Sequence, residues 1–456
     1  METSLAGAQA YIDSHQEMVN PRFRPKAHLT GQVGWINDPN GFVFFKGEYH
    51  VFYQYHPYSS YWGPMHWGHA KSKDLVHWEQ LPVALAPDQT YDKDGCFSGS
   101  AIVKDDKLYL MYTGNCYFGE GDARNEQVQN IAVSEDGIHF EKVAQNPVVT
   151  GDVLPEGLVR QDFRDPKVFE REGRYYTVIA SRHSSEKGVV VLLGSDDLIS
   201  WEFESIFLEG EDHQGTMWEC PDYFEKDGKS YLIVSPMHYE KDDSDFANLF
   251  STVLFTGQVD WEKKIFIPEK VQEIDHGQDF YAAQTMEDDQ GRRIMIAWMQ
   301  MWHRAMPAQD LEEGWACNLT FPRELMFEGG YLQQRPLSES LAQLDELVLD
   351  EELTSAVYGE FDLESSAMFE LGNAQEHLTF GYDADKGLVY LDRSGLQYAM
   401  AGQEKEPVTR RTVAIKAHKI GVLIDTNSLE LFINDGQETM TATCYIAGEQ
   451  KLSQVR

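Results

Sequence analysis

Basic charge is scarce in this sequence. Lys and Arg total 38 against 75 Asp and Glu, a formal net charge of −37 over 456 residues. So acidic a surface repels the phosphates of nucleic acid and the head groups of anionic membranes, both of which are bound by neutralising cations. Neither is expected as a partner, which leaves neutral or only locally recognised small molecules. Long apolar runs are missing as well, and none approaches the roughly 18 residues of a membrane span. Cysteine is sparse: Cys96, Cys116, Cys220, Cys317 and Cys444 are odd in number, widely spaced and without a C-x-x-C pair. They read as five reduced thiols. Residues 1–20 lack the basic start, apolar middle and cleavage site of a secretory signal. The expectation is a cytoplasmic protein whose residues 1–21 form a helical segment.

Apolar residues are plentiful, at 42 % hydrophobic and 12 % aromatic. A chain of this length with that supply is expected to form two domains.

One short pattern recurs about every sixty residues. It runs Ser72-Lys73-Asp74-Leu75-Val76-His77-Trp78-Glu79, Ser134-Glu135-Asp136-Gly137-Ile138-His139-Phe140-Glu141 and Ser195-Asp196-Asp197-Leu198-Ile199-Ser200-Trp201-Glu202, with a weaker Gly257-Gln258-Val259-Asp260-Trp261-Glu262. Between these marks lie five segments that read as β-hairpins: 41–55, 99–113, 166–180, 221–235 and 281–298. Each has a turn signal near its middle, namely Lys46-Gly47, Asp105-Asp106, Glu172-Gly173, Asp227-Gly228 and Gln290-Gly291. Five repeats of about four short strands are the signature of a five-bladed β-propeller, expected over residues 22–335. After Arg335-Pro336 the rhythm stops. Residues 336–354, rich in Leu and Glu, read as a linker helix, and seven short strands between 366 and 445 read as a β-sandwich spanning 355–456. The fold class is all-β.

The repeats align three acids. Asp38 lies 11 residues before Tyr49, Asp165 lies 10 before Tyr175, and Glu219 lies 12 before Tyr231. In a propeller that slot opens the innermost strand of a blade, so the three carboxylates would meet at one end of the central funnel. Asp279 is a fourth candidate. Clustered carboxylates with few basic neighbours serve either a hard metal or acid–base work on a glycosidic bond. A calcium loop draws its acids from one flexible segment, whereas here they come from separate strands. Glycoside hydrolysis needs one ionised carboxylate and one kept protonated. Asp38, among amides, suits the first role. Glu219, between Met217, Trp218 and Cys220, suits the second through low-polarity surroundings. Arg164 beside Asp165 is expected to keep that carboxylate ionised. His66 and His69 stand on opposite faces of a strand and read as structural rather than as a metal pair.

Trp35-Ile36-Asn37-Asp38-Pro39-Asn40-Gly41, Phe97-Ser98-Gly99-Ser100, Phe163-Arg164-Asp165-Pro166 and Glu219-Cys220-Pro221-Asp222 resemble, in this order, the motif set of glycoside hydrolase family 32, the family of invertases, sucrose-6-phosphate hydrolases and fructanases. The likeness continues through Gln54, residues 62–69, Asp279-Phe280-Tyr281-Ala282 and Ala297-Trp298, then through Leu391-Asp392-Arg393-Ser394-Gly395 and residues 431–436. It implies a five-bladed propeller with an appended sandwich, retention through a covalent fructosyl-enzyme, and no metal or other cofactor. It further implies Asp38 as nucleophile, Glu219 as acid/base and Asp165 as the residue that hydrogen-bonds the fructosyl hydroxyls. Asn37, Gln54, Trp62, Phe97, Ser98, Arg164 and Trp298 match positions that bind the fructosyl unit. Trp298 is expected to face substrate, while Phe97 reads equally as core.

The start of the chain resembles intracellular sucrose and sucrose-6-phosphate hydrolases. An exo-acting fructanase would use the same acids, and a sugar-binding propeller without catalysis would lack one of them. For a phosphorylated sugar, Arg182-His183 or His303-Arg304 is the expected contact. A homodimer is the expected assembly. Past Cys444-Tyr445 little chain is left before Arg456, so a short or missing last sandwich strand is expected.

Overall fold

The computed structural model describes residues 3–118, 125–328, 331–398, 402 and 408–455. Residues 1–2 of the expected helical segment, and 399–401, 403–407 and 456 of the expected sandwich, lie outside the described residues.

Five antiparallel meanders of four strands succeed one another from residue 34 to 336, numbered here as blades I to V. Their first strands are Gly34–Phe45, Cys96–Lys104, Arg164–Arg171, Trp218–Lys226 and Tyr281–Glu287, and these pack against one another around the axis. Four of the five expected hairpin turns have both central residues at positive φ, from 50° at Lys46 to 83° at Gly47. That is the type I′ geometry whose twist matches the flanking strands. The ring closes through Trp315–Ala316, which pairs in parallel with Gly34 and Trp35.

The sixty-residue mark is the connection between the third and fourth strands of a blade. In blade I the Ser72 hydroxyl accepts from the Leu75 N–H, and Asp74 Oδ1 accepts from the N–H groups of Val76 and His77. Ser134/Asp136 and Ser195/Asp197 repeat the arrangement. Asp260 keeps the carboxylate half of it. These side chains replace backbone partners in the turn.

The helix Leu5–His15 is capped by Ser4 and continues as a 3-10 turn to Met18. Ala8 and Ile12 are buried against blade I. Helix therefore stops short of residue 21, where Pro21 begins the irregular approach to the first blade.

The linker is not the helix that its leucines suggest. Only Ser338–Leu341 is helical. Asp345–Glu346 then pairs in parallel with Val357 and Tyr358, and Leu347 enters the sandwich core with Leu349 packed against it. Asp345, Glu346, Asp350, Glu351 and Glu352 would stand as unrelieved like charges at helical spacing. Extended backbone places Leu347 and Leu349 on one face and gives the acids to water.

Two five-stranded sheets form the sandwich. Phe369, Leu371, Phe380 and Leu391 of one face Val422, Ile424, Leu431 and Met440 of the other. The last strand is present as Lys451–Val455, paired with Ala367–Gly372 at the sheet edge. The seam between propeller and sandwich combines an apolar cluster, in which Val76 and Phe321 meet Leu423 and Phe432, with buried ion pairs. Buried Arg323 of blade V bridges Asp275 and Glu430, and His28 lies between Asp425 and Glu430. Among the described residues no helix is long and apolar enough to cross a membrane.

Candidate active site

All five first strands gain one residue on their neighbour near their start, in blade II at Ser98. In blades I, III, IV and V two residues stand opposite one residue of the neighbouring strand. The pairs are Asn37-Asp38 facing Gln54, Asp165-Pro166 facing Ile179, Cys220-Pro221 facing Val234 and Ala282-Ala283 facing Ala297. Such bulges re-aim side chains and cluster near active sites. Asp165, Cys220 and Ala282 take φ of 63°, 49° and 54°, a conformation that costs a non-glycine residue of order 1 kcal/mol or more. The near-equal spacing of the three acids in sequence thus reflects a shared bulge rather than one identical position. Glu219 precedes its bulge, Asp165 comes first in its own and Asp38 second.

Together they lie on a cavity of about 940 Å³ at one end of the funnel, within the size range of small-molecule sites. Asn37, Asp38, Gln54, Trp62, Phe97, Ser98, Arg164, Asp165 and Glu219 all line it. Trp298 does not. It is fully buried, edge-on to Trp35 at 5.8 Å and to Trp302 at 4.9 Å. Trp302, four residues on, reaches the cavity in its place. The expectation for Trp298 failed because an aromatic ending an inner hairpin packs behind the chain that leaves it.

Asp38 is 9 % exposed. Its Oδ2 accepts from the Ser98 hydroxyl at 2.6 Å and its Oδ1 from the Asn37 amide at 3.0 Å. Asn37 is itself oriented by the Trp35 indole N–H at 2.8 Å. Burial raises the Asp38 pKa above the usual carboxylate value, and the negative charge of Glu219 adds to this; the Ser98, Asn37 and Cys220 hydrogen bonds oppose it.

Glu219 is clamped from both sides. Arg164 Nη2 donates to Oε1 at 2.9 Å and the Tyr281 hydroxyl meets Oε2 at 2.6 Å. Arg164 and Tyr281 hold, in blades III and V, the position before the bulge that Glu219 holds in blade IV. The apolar neighbours expected from sequence do not form its immediate surroundings.

Asp165 differs from its sequence expectation. The Arg164 guanidinium reaches past it, 2.9 Å from both Asp162 and Glu219 but 3.9 Å from Asp165. Burial, together with the charges of Glu219 and Asp38, outweighs Arg164 and pushes the Asp165 carboxyl up to about 7. Its Oδ2 accepts from the Cys220 backbone N–H at 3.0 Å.

The remaining candidates divide. Asp279 is buried away from the cavity, paired with Arg304 and Arg393 and accepting from the Thr443 N–H. Arg304 is committed to that cluster, so the two expected cation pairs each contribute one member to the cavity, Arg182 and His303. His69 meets His50 at 3.0 Å and His66 meets the Pro64 carbonyl at 3.1 Å, both as structural partners. Sequence reading missed Trp302, His238, Phe250 and Gln127 on the cavity wall. Only Trp302 had a signal, standing beside His303 after the last inner hairpin.

Residues 28–336 match the N-terminal domain of glycosyl hydrolases family 32, and residues 333–455 match the family's C-terminal domain. The chain belongs to glycosyl hydrolases family 32. It is therefore a glycoside hydrolase, and family 32 relatives match it nearly end to end. A sucrose-6-phosphate hydrolase of Bacillus subtilis is 38 % identical over 92 % of this chain and 88 % of its own length. One from Escherichia coli is 35 % identical over 99 % and 95 %. A Bombyx mori GH32 beta-fructofuranosidase, solved as a mutant in complex with sucrose, superposes with a TM-score of 0.87 at 34 % identity, covering 99 % of this chain and 96 % of that one.

Proposed function

We propose that this family 32 enzyme hydrolyses the β-D-fructofuranosyl bond of sucrose or sucrose-6-phosphate with retention of configuration. The observation that carries the proposal is the meeting of Asp38, Asp165 and Glu219, from three blades, in one cavity. Asp38 attacks C2 of the fructosyl ring as the C2–O bond to the leaving sugar breaks, and Glu219 gives its proton to the departing oxygen. Water then attacks C2, Glu219 takes a proton from it, and the ester to Asp38 is released. Ser98 and Asn37 hold the Asp38 carboxylate in place for attack. As Glu219 loses its proton, the Arg164 guanidinium stabilises the carboxylate left behind.

Asp165 accepts hydrogen bonds from fructosyl hydroxyls while positive charge develops on the ring. Its carboxyl, pushed up to about 7 by burial and by the charges of Glu219 and Asp38, gains as an acceptor once those hydroxyls donate to its charged form. Trp62, half exposed at the rim and edge-on to Phe97 at 6.1 Å, offers an aromatic face to sugar. Arg182 and His303 are the side chains of the cavity wall that a phosphate on the leaving sugar would meet. The five thiols are all unpaired, which supports a reducing, cytoplasmic setting.

Initial rates on sucrose, sucrose-6-phosphate, kestose and inulin test this reading. Hydrolysis of the first two at higher kcat/KM than inulin is expected. Faster cleavage of inulin would make the protein an exo-acting fructanase, and no cleavage of any would remove the proposal.

A further inference from the structure

Where blade IV meets the sandwich, three side chains converge that take no part in the chemistry above. Asp245 comes from the 237–252 loop, Glu273 ends the strand Ile265–Glu273, and His276 follows it. One ligand atom of each lies within 4.8 Å of the others. His276 is 6 % exposed, and its Nδ1 is buried without a hydrogen-bond partner. That atom is 3.3 Å from Glu273 Oε2 and 3.6 Å from Asp245 Oδ1.

We propose that Asp245, Glu273 and His276 bind one divalent transition cation of the zinc class.

Three features support the assignment independently of the catalytic reading. First, the two separations from His276 Nδ1, 3.3 Å to Glu273 and 3.6 Å to Asp245, fit. A tetrahedral ion with bonds of about 2.0–2.2 Å to nitrogen and oxygen sets its ligands about 3.3–3.6 Å from one another. Second, the histidine is prepared for it. His276 Nε2 lies 3.0 Å from Glu438 Oε2 of the sandwich strand Glu438–Thr443. A proton on Nε2 donates to that carboxylate and leaves the Nδ1 lone pair facing Asp245 and Glu273, the carboxylate–histidine–metal arrangement that fixes a ligand's tautomer and raises its basicity. Third, imidazole with two carboxylates is a donor set suited to zinc, with a further position open to water.

The competing occupant of Nδ1 is a proton. Burial would lower the His276 pKa, but Glu273 and Glu438 outweigh burial and hold it well above its ordinary value. Asp245 faces the same nitrogen. Binding the cation therefore displaces a proton from the imidazole.

The ion would join three parts of the molecule. Glu273 Oε2 already accepts from the Phe246 N–H at 2.6 Å, and the loop that holds Asp245 and Phe246 also brings His238 and Phe250 to the cavity wall. Glu438 extends the link to the sandwich. A cation here fastens one wall of the cavity to blade IV and blade IV to the second domain.

The test uses chelator-stripped protein carrying Asp38→Ala, which removes one carboxylate of the catalytic cavity, titrated with zinc chloride by calorimetry in two buffers of different ionisation enthalpy. One zinc per chain, with proton release, is expected. Asp245→Asn is the primary control because the Asp245 side chain is half exposed, at 48 %, and its loss spares the fold. It and Glu273→Gln should each weaken binding at least tenfold, and Glu438→Gln about 10–100-fold. Bound zinc should raise the melting midpoint of the parent by about 3 °C at a hundredfold excess over its Kd, and that of the Asp245→Asn variant by about half of this or less at the same zinc concentration. Failure to bind zinc, or equal affinity in the parent and the Asp245→Asn variant, would overturn the site.

Discussion

Arg164 donates to Glu219 from the equivalent position of the preceding blade, at 2.9 Å. Tyr281 closes on the same carboxylate from the equivalent position of the following blade. Three consecutive repeats thus place a cation, an acid and a phenol at one structural position. The propeller's rotation turns that repetition into a clamp around a single carboxyl group.

The Tyr281 hydroxyl also lies 2.8 Å from the Ser235 carbonyl, and a phenol has one proton to give. It donates to Glu219 when that group is ionised, and to Ser235 when Glu219 is protonated and itself donates. Tyr281→Phe removes this support from both states. Steady-state kinetics on sucrose should show kcat lower by about 10–100-fold, the worth of a hydrogen bond to a charged group, with KM changed less than threefold.

Ser98→Ala deletes the 2.6 Å bond to Asp38 Oδ2. That bond favours the carboxylate, so its loss raises further a pKa already raised by burial. The nucleophile must be ionised. The acidic limb of kcat/KM against pH should therefore move to higher pH, and a limb that stays in place would show that Asp38 does not set it.

Asp165 carries a stability prediction of definite sign. Its folded value of about 7 lies above the ordinary 3.8, so the folded state holds the proton longer than the unfolded chain does. The group's contribution is fully present below pH 3.8 and is lost as pH rises toward 7 and beyond. Asp165→Asn should be more stable than wild type at pH 8, by up to about 4 kcal/mol, and near wild type at pH 4. Thermal melts at the two pH values measure it, while hydrolysis by the variant should be severely impaired at both.

Trp298 should behave as core. Truncation to Ala is expected to cost about 3–5 kcal/mol of stability with little change in KM for sucrose, because Trp302 covers it. The converse is expected of Trp302→Ala, and urea denaturation beside Michaelis–Menten kinetics separates the two.

Much of this was legible in the sequence because it is periodic. The aromatic at 78, 140, 201 and 261 and the hairpin turns between them report a local turn chemistry repeated in each blade. Nine of the ten chosen site residues line the cavity: the repeats marked Asp38, Asp165 and Glu219, whereas Asn37, Gln54, Trp62, Phe97, Ser98 and Arg164 were carried by the resemblance to glycoside hydrolase family 32. What was misread depends on packing between repeats. Trp298 is buried by a chain that leaves its own blade, and Arg164 serves Glu219 of the next blade in preference to its neighbour Asp165. Residues 336–354 read as a helix from their Leu and Glu content, yet Leu347 and Leu349, two apart, have the spacing of a strand and are drawn out by the sandwich face beside them. His238 and Phe250 lie on a loop outside the repeat, where no spacing signals what the loop reaches.

The assignment of Asp38 as the attacking carboxylate is the centre of the account, and kcat for sucrose hydrolysis by Asp38→Ala, with its melting midpoint, tests it most directly. A fall of at least about 10⁴-fold with a midpoint at or above that of wild type is predicted. Activity within tenfold of wild type would contradict it.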